Sequence, residues 1–212
     1  PLVSPDKFCA ELMGLSLRNV TLTVYDGDKP IFSEFGEMLF THFGVSGPLV
    51  LSASSHIRDM KPNRYHLAID LKPALDSEQL DARIQRDFAE NLNRDFINGI
   101  RKLLPAKLIP VITRLSGIPE EQKINSVTKE QRRRFGELIK AFPVRVSGFR
   151  PIDEAIVTSG GILVREIDPH TMESKLVRGL FFAGEVIDVD AYTGGFNLQI
   201  AFSTAYSAAL YM

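Results

Sequence analysis

The chain has 212 residues, with 25 Lys and Arg against 26 Asp and Glu and a formal net charge of −1. Its 44% hydrophobic content supports a real core and argues against disorder, while the near-neutral balance gives no global pull toward nucleic acid or an anionic membrane. No apolar run approaches the roughly 18 residues that span a bilayer, and no charged, apolar leader opens the chain, so neither membrane insertion nor export is expected. The lone Cys9 can form neither an internal disulfide nor a multi-cysteine metal site, which fits a reducing cytoplasm.

The first third reads as strands. Leu17 to Tyr25 alternates and is rich in β-branched residues, Asp26-Gly27-Asp28 is a turn signal, and Tyr65 to Leu71 alternates again. Between them Ser46-Gly47-Pro48 precedes an apolar run to Ile57, a polar cap and a first-turn proline that predict a short helix.

From about residue 74 the period changes. Asp76 with Gln79 forms a capping-box pattern flanked by Leu75 and Leu80, and Leu80, Ile84, Phe88 and Leu92 make one stripe. Ile97, Ile100, Leu103 and Leu104 predict a second helix ending at Pro105, and Ala106 to Leu115 a third ending at Gly117. Thr128 with Gln131 caps a fourth, whose Phe135, Leu138, Ile139 and Phe142 face inward until Pro143. The segment 74–142 is therefore expected to be a separable helical insertion. Strand character returns in Val144 to Val146, Ala155 to Thr158, Ile162 to Ile167 and Leu180 to Ala183, and a final helix is expected from about Asn197.

The C-terminal motif carries the chemistry. GLFFAGE at 179–185 is an apolar run ending in Gly184 and a carboxylate, Glu185. Asp188 follows, then Gly194 and Gly195 open an apolar helix. Carboxylates can accept from the hydroxyls of a sugar-like chain, while glycine-permitted backbone and the free N–H groups of a helix start can face anionic groups. His42 lies between Phe40 and Phe43 and is a candidate proton relay. Ser46 lacks the second glycine of a G-x-S-x-G elbow and is expected to cap a helix instead. His56, His66 and His170 lack metal-site spacing, so no metal is expected. The run Arg132 to Arg134 reads as a solvated helix face.

These motifs resemble a bacterial family of NAD(P)/FAD-dependent flavoproteins that includes aminoacetone-oxidase-like enzymes. GEMLFTHFGVSGP at 36–48, VTSGG at 157–161, TMESK at 171–175 and GGFNLQ at 194–199 follow in the family's order. The resemblance implies an α+β fragment of an α/β flavoprotein. Residues 1–73 would begin a β-rich, barrel-like domain, 74–142 would be its helical insertion, and 143–154 its return. Residues 155–212 would supply C-terminal strands and a helix to a Rossmann-like FAD-binding domain.

By the same resemblance FAD is contacted by Gly184, Glu185, Asp188, Gly194, Gly195, Phe196, Asn197 and Leu198, with NAD(P)H as a candidate electron donor and either Glu185 or Asp188 on the ribityl chain. The donors at the helix start would favour negative charge on the reduced flavin. The family's first fingerprint, G-x-G-x-x-G, is absent, since no two glycines stand two apart. With a start at Pro1, the chain is expected to be the later part of a longer protein, partnered by an N-terminal FAD-binding half, inactive alone, and acting in its parent on an unidentified small-molecule substrate. No nucleic-acid partner is expected. The competing reading is a non-enzymatic interaction module that works through the helical insertion.

Overall fold

The computed structural model describes residues 1–62 and 64–212. They divide into two compact units, Pro1–Phe149 and Arg150–Met212.

The first unit is built on an antiparallel sheet. Its strands are β1 (Leu2–Val3), β2 (Ser16–Asp26), β3 (Lys29–Thr41), β4 (Gly44–Ser46), β5 (Tyr65–Asp70), β6 (Phe142–Arg145) and β7 (Gly148–Phe149), in the order β6-β5-β2-β3-β4-β1-β7. The two edges belong to one continuous segment: β6 pairs with β5, and β7, two residues later, pairs with β1. Between them Val146 N–H donates to Tyr65 O (3.2 Å) and Ser147 N–H to Val3 O (2.9 Å). The segment 142–149 thus closes the sheet into a barrel and leaves no open edge at that seam.

Alternation decides which faces turn inward. Leu22, Val24, Leu67, Ile69, Phe142 and Val144 are buried while their neighbours are not. In β2 the buried positions Leu17 and Val20 are three apart, and the register shifts there, so a bulge restores the inward phase. The Asp26/Lys29 hairpin turns at Gly27, whose φ is 59°.

Helices α1 (Phe8–Glu11) and α2 (Pro48–Ser55) pack against the sheet. The N-cap of α2 is Gly47, at φ 100°, without a side-chain cap. Ser46, expected to cap it, is instead the last residue of β4 and opposes Leu39. Gly47 passes so close to β3 that a Cβ there would lie 3.0 Å from Met38 Cα, which leaves room only for glycine.

The helical segment contains α3 (Ser77–Ala89), α4 (Phe96–Gly99), α5 (Ile109–Ser116) and α6 (Lys129–Lys140). Both capping boxes form. Asp76 Oδ1 accepts from Gln79 N–H at 2.8 Å and Thr128 Oγ1 from Gln131 N–H at 3.1 Å, with each glutamine returning a bond to the cap's own N–H. The expected long second helix shrinks to α4, because its chain turns at Ile100, yet Ile100, Leu103 and Leu104 are still buried. Leu92 lies beyond the end of α3 and is exposed. Phe142 belongs to β6, because α6 has already ended at Lys140.

The helices do not stand apart from the barrel. One continuous buried cluster joins Leu22 and Phe40 of the sheet to Ile84, Phe96, Phe135 and Ile139 of the helices. α6 is tied to the end of β5: Leu71 N–H donates to Ile139 O (2.9 Å) and Lys140 Nζ pairs with Asp70 (2.6 Å). The expectation of a separable insertion meets a shared core.

The second unit has one long helix, α7 (Phe196–Tyr211). The strands expected at Ala155 to Thr158, Ile162 to Ile167 and Leu180 to Ala183 are not strands here. Among the described residues 155–158 make no bridge, and the other two segments make only isolated ones, Ile162 with Ile187, Ile167 with Ser174 and Phe181 with Glu173. A strand exists only where a neighbour completes its ladder, and this unit supplies no such neighbour among the described residues. No helix is long and apolar enough to cross a membrane among the described residues.

Candidate functional site

The motif from Gly184 to Leu198 is built around two turns held against α7. Gly184, at φ 75°, opens a short helical turn to Val186. Its N–H donates to Thr204 Oγ1 (3.0 Å) and its Cα faces Ala201, where an added Cβ would meet Ala201 Cβ at 3.7 Å. Next to it Ile162 N–H donates to Val186 O (2.8 Å) and Asp188 N–H to Ile162 O (2.9 Å), a parallel bridge that seats the 160–162 segment beside the turn.

The two carboxylates have different commitments. Asp188 Oδ1 accepts from Gly160 N–H (3.1 Å) and so pins the Gly160-Gly161 turn. Gly161 is at φ 146°, and a Cβ on it would run into the Val186 carbonyl. Glu185 is exposed and makes no such bond among the described residues.

The start of α7 is shaped by two glycines. Gly194 is at φ 116°, and Gly195, the N-cap, is at φ 97° and makes no side-chain cap. Helix geometry leaves the N–H groups of Phe196, Asn197 and Leu198 without intrahelical acceptors, the first internal bond being Gln199 N–H to Gly195 O (3.0 Å). The Asn197 side chain folds back to the preceding loop: its Oδ1 accepts from Ala191 N–H (2.8 Å) and its Nδ2 donates to Ala191 O (2.9 Å). Asn197 can therefore offer its backbone to a ligand while its side chain holds the loop. The side chains of Phe196 and Leu198 are exposed.

His42 belongs to the first unit, in the turn between β3 and β4, and the remaining candidates to the second. Its exposed ring stands edge-on to Phe43, with centroids 5.0 Å apart. Among the described residues, no three His, Cys, Asp or Glu gather as metal ligands. The Arg132–Arg134 run is largely neutralised: Arg132 pairs with Asp81 at 2.7 Å, and Arg133 with Glu130 at 2.9 Å and Glu137 at 2.8 Å.

A feature that the motif reading passed over is the surface of α7. Phe196, Leu198, Phe202, Tyr206, Leu210 and Tyr211 are all exposed, Phe202 by 70% and Tyr206 by 69%, and of the helix only Ala208 is buried. A helix apolar on every side ordinarily lies inside a domain. The signal was in the sequence, since α7 contains no charged residue at all.

Comparison with known proteins gives a consistent context. Residues 1–157 match the family model described as HI0933-like protein barrel and H2TH domain. The chain is 33% identical over 205 residues to a ribosomal RNA dihydrouridine synthase of Haemophilus influenzae, covering 97% of this chain and 48% of that protein. It is 32% identical over 198 residues to the Escherichia coli protein of the same name, covering 93% and 46%. A 3-dehydro-bile acid delta(4,6)-reductase of Clostridium scindens is 29% identical over 191 residues, covering 86% and 45%. The chain thus spans about half the length of these relatives, which are named as enzymes. With the barrel in place and the match running over most of its length, the chain belongs to the HI0933-like barrel and H2TH domain family.

Proposed function

We propose that the whole protein to which this chain belongs is an FAD-dependent oxidoreductase and that the second unit contributes part of its cofactor site. The observation that carries this reading is the presence, in one unit, of uncommitted groups of both kinds that a flavin dinucleotide needs. Glu185 is a free acceptor beside the Gly184 turn, and the first turn of α7 offers free donors.

The residues fit the group. Gly195 has open space where a Cβ would stand, and a positive φ that side chains disfavour. Glu185 is proposed to accept from the hydroxyls of the ribityl chain, and Asp188 to hold the 159–161 loop in position for them. The N–H groups of Phe196, Asn197 and Leu198 are proposed to face the electron-rich edge of the ring, with Gly184 and Gly194 keeping the backbone close. FAD, when bound, supplies a carrier for electron or hydride transfer. His42, in the first unit, is proposed to hold or move a proton, and NAD(P)H to be the reductant.

Two further observations support the reading. The relatives' names denote reductive chemistry on different substrates, ribosomal RNA and a bile acid, so the reaction class carries over more readily than the substrate. The uncovered apolar surface of α7 accords with a domain completed by further chain in the whole protein, for which the FAD-binding half bearing a G-x-G-x-x-G turn is the proposed occupant. A cytoplasmic location and a small-molecule substrate belong to the same proposal.

Flavin content tests it. In the whole protein Gly195→Val is expected to lower bound flavin, read by visible absorbance after purification and by fluorescence after heat release, while Arg133→Ala leaves it unchanged. Circular dichroism checks that both variants fold. A colourless wild-type protein that takes up no added FAD would overturn the cofactor assignment, and equal flavin in folded Gly195→Val and wild type would remove the 194–198 segment from the site.

A further inference from the structure

The TMESK segment of the second unit lies outside the contacts proposed for flavin, yet it holds an unusual residue. It belongs to the turn that runs from Ile167 to its bridge partner Ser174, and within it Met172 stands at φ 62°. Among the described residues eleven glycines take a positive φ, and Met172 is the one residue with a side chain that does so. A Cβ in the left-handed region crowds the neighbouring carbonyl, a cost that glycine avoids. Everywhere else the chain meets this demand with glycine, including Gly179 at φ 79°, seven residues on.

Hydrogen bonds hold the strained conformation in place. Asp168 Oδ1 accepts from His170 N–H (2.9 Å) and Thr171 N–H (3.2 Å), and Met172 N–H donates to Asp168 O (2.8 Å). Asp168 N–H donates to Glu173 O (2.8 Å) and Ser174 N–H to Leu180 O (2.7 Å). Met172 O accepts from Phe182 N–H (3.0 Å), which docks the turn on the run that enters Gly184 and Glu185 two residues later. Both backbone groups of Met172 are thereby committed, and its side chain is what remains to serve a ligand. That side chain is half-buried, whereas the hydrophobic residues sealed inside this unit, among the described residues, are Ile167, Ile187 and Ala208.

We propose, resting on the flavin reading of this unit, that Met172 is a cofactor-contact residue whose thioether side chain lies against the flavin ring. A turn that needed only its backbone shape would be met at lower cost by glycine, so the strain has a use only if the side chain has one. Filling the core is not that use, because the side chain stays half-buried. The bond to Phe182 sets Met172 beside the run that leads into the Gly184 turn, in the same unit as the donors at the start of α7. A thioether is unbranched, polarizable and adaptable, and it makes favourable contacts with flat aromatic surfaces. The sugar-like and anionic parts of the cofactor want hydrogen-bond partners and would gain nothing from it, so the ring is the part assigned to Met172.

The test uses the whole protein loaded with FAD. Flavin release is timed by the rise in flavin fluorescence on dilution, the visible absorption band is recorded at saturating FAD, and circular dichroism checks that each variant folds. Met172→Ala keeps the Cβ and its strain but removes the thioether, Met172→Gly removes both, and Met172→Leu keeps the bulk. The Ala and Gly variants are expected to release flavin up to about tenfold faster and to shift the visible band, with Met172→Leu closer to wild type than either. Release from Met172→Gly as slow as from wild type would show that the residue serves the turn alone and would overturn the proposal. An unshifted band in the Ala and Gly variants would overturn it too, giving the side chain to the chain that covers this unit, as would release from Met172→Leu as fast as from Met172→Ala. Each of these results leaves a flavin-bearing wild type and the flavin reading intact, whereas a colourless wild type that takes up no added FAD overturns both.

Discussion

Ile139→Ala asks whether the helices and the barrel share one folding unit. Ile139 is fully buried on α6, its carbonyl accepts from Leu71 just past β5, and it lies in the same cluster as Phe142 of β6. Phe142 in turn packs edge-on against Phe8 at 5.3 Å, next to Cys9 on α1. The substitution removes three carbons, about 2.4 kcal/mol at ~0.8 per carbon, and incomplete collapse of the cavity brings the cost to roughly 3 kcal/mol. Cys9 is the chain's single cysteine and only 1% exposed, so a thiol reagent reaches it only when the barrel opens. If opening and closing are fast relative to labelling, a loss of ~3 kcal/mol raises the labelling rate about a hundredfold, at 1.4 kcal/mol per factor of ten. The assay is the rate of disulfide exchange with an aromatic disulfide at constant pH, beside the helix signal in circular dichroism. A variant whose helices melt earlier while Cys9 stays as protected as in wild type would refute the shared core and restore a separable insertion.

Other outcomes follow from local features. Burial pushes the Cys9 thiol up to about 11 from an ordinary 9.0, so the native state holds this proton more tightly than the unfolded chain; stability should fall as pH rises from about 9 to 11, and the fall should be smaller in Cys9→Ala when both are followed by denaturant unfolding. Asp76→Ala breaks the capping box of α3 and is expected to cost about 1 kcal/mol in the same unfolding assay, with Asp76→Asn retaining most of the stability; an unchanged midpoint in Asp76→Ala would show that the cap contributes nothing. Gly99→Ala drives a Cβ into Ile124 and is expected to cost about 1–3 kcal/mol, and pairing it with Ile124→Val should relieve part of that cost; additive losses in the double variant would place the strain elsewhere.

Local chemistry made part of this protein readable in advance. The alternation of Leu22, Val24, Leu67 and Ile69 and the capping residues Asp76, Gln79, Thr128 and Gln131 act over a few positions, so a strand face or a helix start follows from them directly. The glycines at 194 and 195 announced a positive-φ entry to α7 for the same reason. Tertiary structure decided what depends on distant partners. Barrel closure needs 142–149 to meet both β5 and β1, which no local pattern announces. The apolar runs at 155–158, 162–167 and 180–183 have strand composition, yet a strand is a property of a pair, and among the described residues the first run finds no bridge and the other two only isolated ones. The difference between Glu185 and Asp188, one free and one bound to Gly160, arises from the Ile162 and Ile187 bridge. The pairing of 92–97 with 120–125 arises likewise, through backbone hydrogen bonds that bring Lys123 beside Asp95 across 28 positions of sequence.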